Sequence, residues 1–313
     1  MDQAPLHNEI SIAPKDGVAY WTKASDGVHL RLACWKPKSA SLGTILFFPG
    51  RGDYIELYGP PTTAFVEAGY TVIVIDWRGH GLSERVATNP KVGHVESFLD
   101  YQKDVDAMTM AAREFDLPQP WYLVAHSMGA CVALRSLVNG LEVKAAALSA
   151  PMFEIHMAAY ERLAAWPLTW AMKAVGKGQV YAPGFNDESY VCRNAFDGNT
   201  LTNSQDSYER WKMQGTKVPE LHTGGPSMGW LCAALQETHA LSKLPSPNVP
   251  CIAFCGDQEE TVSVPAIEAR MRGWPLGTLE RVSNAKHELF LETPDVSRTV
   301  VSKITGFFQQ HPS

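Results

Sequence analysis

The chain of 313 residues is 45% hydrophobic and 19% charged, a balance that fits a globular protein and excludes a disordered one. Its net charge of −6 gives no electrostatic support for a nucleic-acid partner or for attraction to an anionic bilayer. At this length either one elaborated domain or two are expected, with a sizeable core.

The N-terminal MDQAPLHNEISIAPKDG has no basic start followed by an apolar run, so no secretory leader is expected. No uncharged apolar stretch approaches the roughly 18 residues of a membrane-spanning helix, and FFQQHPS matches no lipidation motif. The cysteines at 34, 131, 192, 232, 251 and 255 form no CxxC pair and no zinc-spaced cluster with histidine. They read as free, mostly structural thiols of a cytoplasmic protein.

In chain order, VAYWTKASDGVHLRLACWKP reads first, as a hairpin turning at Asp26-Gly27, with Val28, Leu30 and Leu32 alternating against polar neighbours. Apolar runs follow at Thr44–Phe48, Thr71–Ile75, Trp121–Ala125, Lys144–Leu148 and Cys251–Phe254. Runs this short, apolar on both faces and bounded by Gly or Pro, suit buried parallel strands. Between them, Ser97–Phe115 sets Phe98, Tyr101, Val105, Met108, Ala112 and Phe115 on one helical face, with Ser97 and Asp100 resembling a capping box. Met128–Asn139 and Pro294–Gln309 read as further helices. Strands alternating with helices imply a mostly parallel sheet flanked by helices, an α/β fold. The rhythm breaks between Pro151 and Pro250, where Trp166, Trp170, Trp211 and Trp230 sit among methionines and Gly/Asn-rich loops. The expected organisation is a core of residues 1–150 and 250–313 carrying a mainly helical cap of residues 151–249.

Chemistry concentrates in Trp121–Ala130, WYLVAHSMGA, a variant of the G-x-S-x-G elbow with Ala125 and Gly129 in the small places. A strand runs into this turn and a helix leaves it, the context in which the elbow exposes a nucleophile. Ser127 is therefore the expected nucleophile, with the Met128 N–H and the helix N-terminus aimed at developing negative charge. A serine needs a base, and the base an orienting acid, in the chain order Ser, acid, His. Asp257 follows the strand ending at Gly256, and His287 follows the strand-like run Thr278–Val282, so these are the expected acid and base. Glu259 and Glu260 are alternative acids; His80, His94, His126, His156, His222 and His239 are alternative bases. The second oxyanion donor is expected to be the Arg51 N–H in FPGRG, with Gly50 N–H as the alternative, and the Arg51 side chain has Asp53, Glu56 and Glu84 as possible partners. Asp76, in DWRGHGLS, is expected to do structural work by pairing Arg78 or capping its turn.

Together FFPGRGDYIELYG, GYTVIVIDWRGHGLSER, GHVESFLDYQKDVDAM, AHSMGA, GDQEETVSVP and NAKHELF resemble the lysophospholipase and monoacylglycerol lipase branch of the α/β-hydrolases, sometimes grouped with serine aminopeptidase-like hydrolases. The resemblance spans roughly Tyr20 to Gln309. It implies a carboxylester hydrolase acting on a lipid with one acyl chain through Ser127, Asp257 and His287, with Met128 and Arg51 as oxyanion donors. Pro49-Gly50 stands where many monoacylglycerol lipases have His-Gly, and Ala125 where their elbow has Gly; both fit the bacterial lysophospholipase-like side better. Such chemistry needs no metal and no organic cofactor. The expected partner is a small ester or lipid, met with at most transient contact at a membrane surface. Other activities on the same triad, as esterase, thioesterase or peptidase, share these residues, and a non-catalytic binding protein on the same scaffold is the distant alternative.

Overall fold

A computed structural model of the chain describes residues 1–312. Its strands are β1 (Gln3–Ala4), β2 (Val18–Lys23), β3 (His29–Trp35), β4 (Thr44–Phe48), β5 (Thr71–Asp76), β6 (Trp121–His126), β7 (Ala146–Ser149), β8 (Cys251–Gly256) and β9 (Gly277–Val282). The helices are α1 (Gly59–Glu67), α2 (Asp100–Glu114), α3 (Met128–Val138), α4 (Ala159–Ala174), α5 (Tyr190–Arg193), α6 (Gln205–Lys217), α7 (Met228–Ser242), α8 (Val264–Arg272) and α9 (Pro294–Gln309). One sheet runs in the order β1-β2-β3-β5-β4-β6-β7-β8-β9. The first three strands pair antiparallel, β3 joins β5 antiparallel, and every pairing from β5 to β9 is parallel. This is the mostly parallel, helix-flanked α/β architecture expected from the alternating pattern.

The apolar runs become central strands because both of their faces are covered. Leu46, Phe48, Ile73, Ile75, Leu123 and Ala125 face a core shared with α2, α3, α7 and α8. Ile45, Phe47, Val72, Val74, Tyr122 and Val124 face the opposite core, shared with α1 and α9. The Asp26-Gly27 hairpin forms, with β2 and β3 in register from Val18↔Cys34 to Lys23↔His29.

Between β7 and β8 the chain carries α4 to α7. α7, inside the expected cap, packs as part of the sheet's own helical layer: Trp230, Ala233, Ala234 and Leu241 lie in the core with Leu134 and Leu137 of α3. Tyr208 and Trp211 of α6 join the opposite core. Residues 151–249 thus hold helices of two kinds, α7 in the layer against the sheet and α4 with large apolar side chains exposed.

The loop after β4 is fastened beneath the site by a buried charge cluster. Arg31 donates to Asp76 Oδ2 through Nε at 2.7 Å and forks onto both Glu56 oxygens at 2.8 and 2.7 Å. Asp76 also accepts the Ile55 and Leu82 N–H groups, each at 2.8 Å. Asp76 thus does structural work and caps its turn, but it pairs with Arg31; Arg78 instead binds Asp104 and Asp26.

Candidate active site

β4 and β6 are neighbours in register, Phe48 opposite Ala125, so the loop leaving β4 lies beside the turn leaving β6. That turn places Ser127 at φ 48° and ψ −116°, a strained conformation typical of a nucleophile elbow. The close approach explains the small residues. A Cβ on Gly129 would fall 2.2 Å from the Phe48 carbonyl oxygen and 2.4 Å from that of Pro49. A Cβ on Gly50 would fall 2.5 Å from Asp53 Oδ2 and 3.4 Å from Ser127 Cβ, so a bare backbone is needed over the nucleophile.

Ser127 Oγ lies 2.9 Å from His287 Nε2, and His287 Nδ1 lies 2.8 Å from Glu259 Oε2. The structure therefore brings the expected nucleophile and base together, and it puts Glu259, not Asp257, on the base. Asp257 continues the strand line, its N–H donating to the Val282 carbonyl at 2.9 Å, and among the described residues its exposed side chain accepts only from the Ala285 N–H at 3.3 Å. Two residues later the chain has turned back. The Glu259 carboxylate is buried, and its other oxygen accepts the N–H groups of Thr261 at 2.7 Å and Val262 at 3.0 Å. Glu260 is exposed.

Burial pushes the Glu259 carboxyl upward, but the charge and hydrogen bond of His287 and the two backbone N–H groups outweigh it and hold the carboxyl below its usual range. Burial pushes His287 downward, and the charge and hydrogen bond of Glu259, with the more distant Glu288 and Asp53, raise it above the usual imidazole value. A base raised in this way accepts a proton readily and keeps a partner for the resulting charge.

The base loop is itself clamped. Glu292 accepts the N–H of Lys286 at 2.8 Å and that of Asn203 at 3.0 Å, and the Glu288 N–H donates to the Leu201 carbonyl at 2.8 Å. His126, the residue before the nucleophile, sets Nε2 3.0 Å from Glu288 Oε1, the residue after the base, and Nδ1 3.2 Å from Ser149 Oγ. The sequence neighbours of the two reacting residues thus lie side by side. Asp53 lies against this pair, accepting from Tyr58 OH at 2.7 Å, and burial with the nearby Glu288 charge pushes it up to about 7. The sequence reading gave Glu288, Glu292 and Asp53 no such role; a carboxylate directly after the proposed base was the available sign.

Neither Met128 N–H nor Arg51 N–H has a protein acceptor among the described residues, whereas Gly50 N–H is directed at Asp53. Neither expected donor is thus committed to another group among the described residues. The Arg51 side chain takes none of its expected partners: Asp53 holds Tyr58, Glu56 holds Arg31, and Glu84 accepts the His29 N–H at 3.0 Å. The alternative bases are engaged or distant. His94 bonds Ser227 and Glu96, His222 bonds Ser189, His80 bonds the Arg78 carbonyl, and His156 and His239 are exposed. A surface cleft of about 610 Å³ bounded by Trp121, Leu137, Lys144 and Pro247 opens at the other end of β6, away from Ser127.

Residues 39–294 match the family model described as serine aminopeptidase, S33. A probable lysophospholipase L2 of Haemophilus influenzae is 26% identical over 276 residues, covering 87% of this chain and 85% of the relative. Lysophospholipase L2 of Escherichia coli strain K12 is 28% identical, covering 86% and 81%. Among solved structures, a monoglyceride lipase from Saccharomyces cerevisiae superposes with a TM-score of 0.73 at 18% identity, covering 93% of this chain and 95% of the other. A monoacylglycerol lipase from Paleococcus ferrophilus gives 0.69 at 17% identity, covering 90% and 99%.

Proposed function

The chain belongs to the serine aminopeptidase S33 family, and from that membership we propose that it is a serine carboxylester hydrolase acting on single-acyl-chain lipids through an acyl-enzyme on Ser127. The observation that carries this reading is the unbroken line from Ser127 Oγ through His287 to the buried Glu259 carboxylate. The resemblance to lysophospholipases over more than four-fifths of the chain supports the substrate class.

In the proposed cycle His287 Nε2 takes the Ser127 proton as Oγ attacks the ester carbonyl carbon. Glu259 fixes the imidazole tautomer and stabilises its charge. The oxyanion rests on the N–H groups of Met128 and Arg51, each donor lowering the barrier by about 3 kcal/mol. The C–O bond breaks, the alcohol leaves with the proton from His287, and water repeats the sequence to release the fatty acid.

Delivery of such a substrate from a lipid surface is supported by α4. Tyr160, Leu163, Leu168, Trp170 and Val175 are 74, 79, 47, 65 and 67% exposed, and Tyr160, Leu163 and Trp170 recur at helical spacing. We assign this helix and its flanking loops the role of a cap that meets the bilayer peripherally. Among the described residues no helix is long and apolar enough to cross a membrane. Six unpaired cysteines, five of them buried, support work in a reducing compartment such as the cytoplasm.

The test is a substrate panel with purified enzyme: lysophospholipids, monoacylglycerols, short p-nitrophenyl esters, acyl thioesters and aminoacyl amides. Cleavage of the single-chain lipids, blocked by a fluorophosphonate that labels Ser127, is the expected result. Turnover of the amides alone would replace the reading with a peptidase.

A further inference from the structure

Arg51 stands on the loop beside the nucleophile, yet its guanidinium has no carboxylate partner among the described residues. Its polar contact is a hydrogen bond to the Gly224 carbonyl at 3.2 Å, and the guanidinium lies over the Trp230 indole, 5.7 Å from the ring centre. Deep beside it, His80 Nε2 has no protein partner among the described residues, while Tyr101 OH and Trp230 Nε1 have only each other. These residues are 0, 0 and 4% exposed. Phe98 packs against both Tyr101 and Trp230, at ring separations of 5.3 and 5.6 Å, and His80 lies 6.4 Å from Tyr101. Arg85, also without a carboxylate, donates to the Gly81 carbonyl and to Thr223 Oγ1, each at 2.7 Å, adding a second positive charge to the same region.

The chemistry of the cluster is definite. Burial, reinforced by the charges of Arg85 and Arg51 and opposed by the Arg78 carbonyl, holds His80 down to about 3, so the ring is neutral. Its Nδ1 donates to the Arg78 carbonyl at 3.0 Å, which leaves Nε2 as an acceptor. Arg51, Trp230 Nε1 and Tyr101 OH are donors. The cluster therefore offers a cation and the Tyr101 hydroxyl, backed by the Trp230 N–H, to an oxyanion, with one acceptor for a hydroxyl, in a chain whose overall charge is negative.

We propose that Arg51, Tyr101, Trp230 and His80 form a headgroup subsite that takes the phosphate and the free glycerol hydroxyl of a single-chain phospholipid while Ser127 attacks its ester. The proposal rests on the single-chain ester reading above. In such a lipid roughly six single bonds separate the ester carbonyl from the phosphorus, a span matching the reach of an arginine side chain from a backbone that also binds the oxyanion. A guanidinium fork is suited to phosphate oxygens, and a neutral monoacylglycerol gives it nothing of opposite charge.

The measurement is kcat/KM for lysophosphatidylglycerol and for the monoacylglycerol of the same acyl chain, both as monomers, in wild type, Arg51→Met, Arg51→Lys and Trp230→Phe. Wild type should favour the phospholipid, and Arg51→Met should lower the phospholipid-to-monoacylglycerol ratio by about 30-fold, mainly through KM. Arg51→Lys should restore part of the ratio, and Trp230→Phe should lower it by about fivefold, giving a second reading should Arg51→Met fold poorly. Glycerol 3-phosphate should inhibit hydrolysis of a p-nitrophenyl ester competitively in wild type and more weakly in Arg51→Met. A ratio unchanged in both Arg51→Met and Trp230→Phe, or a wild type without preference for the phosphate, overturns the subsite and leaves the ester reading standing. Failure to cleave any single-chain lipid while cleaving other esters overturns that reading as well.

Discussion

At the sheet edge the functional side chains are buried and held by named partners, whereas along α4 large apolar side chains face outward. Glu259 accepts three hydrogen bonds, and the base loop is clamped by Glu292 and Glu288. α4 has Pro167 in its interior, an exposed apolar face, and its main packing against α7. The first region is suited to one geometry. The second is suited to a change of surroundings, since its apolar groups gain by leaving water. Reaction and substrate delivery are thus assigned to parts of the molecule built on opposite principles.

The sharpest test of the rigid edge is Ser127→Ala, expected to lower kcat on a p-nitrophenyl ester by about 10⁵- to 10⁶-fold and to abolish fluorophosphonate labelling. Labelling that persisted would move the nucleophile elsewhere. Next, Glu259→Gln should lower kcat by about 10⁴-fold, while Asp257→Asn changes it by no more than about twofold; the reverse order would return the acid to the strand end. The same variant has a pH signature. Activity requires neutral His287, so kcat/KM rises as pH passes upward through its raised pKa. Without the Glu259 charge that pKa falls, so the acidic limb of residual activity should shift to lower pH. An unmoved limb would mean that another group controls it.

The buried charges below the edge should reveal how firmly it is fixed. Arg31→Ala leaves Asp76 and Glu56 buried without their cation and should cost about 3–5 kcal/mol in urea unfolding. A loss below about 1 kcal/mol would show that the cluster is not what holds the loop after β4. The smallest effect is expected at α4. In Leu163→Ser with Trp170→Ser, activity on vesicle-borne substrate relative to a soluble ester should fall about tenfold, with weaker vesicle co-sedimentation. An equal loss on both substrates would make α4 a structural element of the site instead of a docking face.

Much of this edge was legible in the sequence because backbone geometry leaves few choices there. Ser127 is marked by the small residues Ala125 and Gly129, and the short apolar runs read correctly as strands. The acid was less legible because strand-end position identifies a loop and not the direction of a side chain. Asp257 still follows the β8 ladder and points outward, while Glu259, weighed as an alternative, sits after the turn has reversed. The place of the Arg51 side chain was not legible for a related reason: the carboxylates offered as possible partners were already committed to Tyr58, Arg31 and a backbone N–H. Likewise α7 carries one of the tryptophans that mark its surroundings, and its packing against α3 shows which layer it belongs to.

The hydrogen bond between Ser127 and His287 has a consequence for the protein's birth. The nucleophile and base it joins are 160 residues apart. On the ribosome, the elbow emerges long before its base, and the base loop finds its place only after β8 and β9 have paired beside β7. A partly made chain therefore carries an unactivated serine. Hydrolytic activity is withheld until the segment carrying the base has been made and placed, a built-in latency for an enzyme whose proposed substrates share structure with the membranes of the cell that makes it.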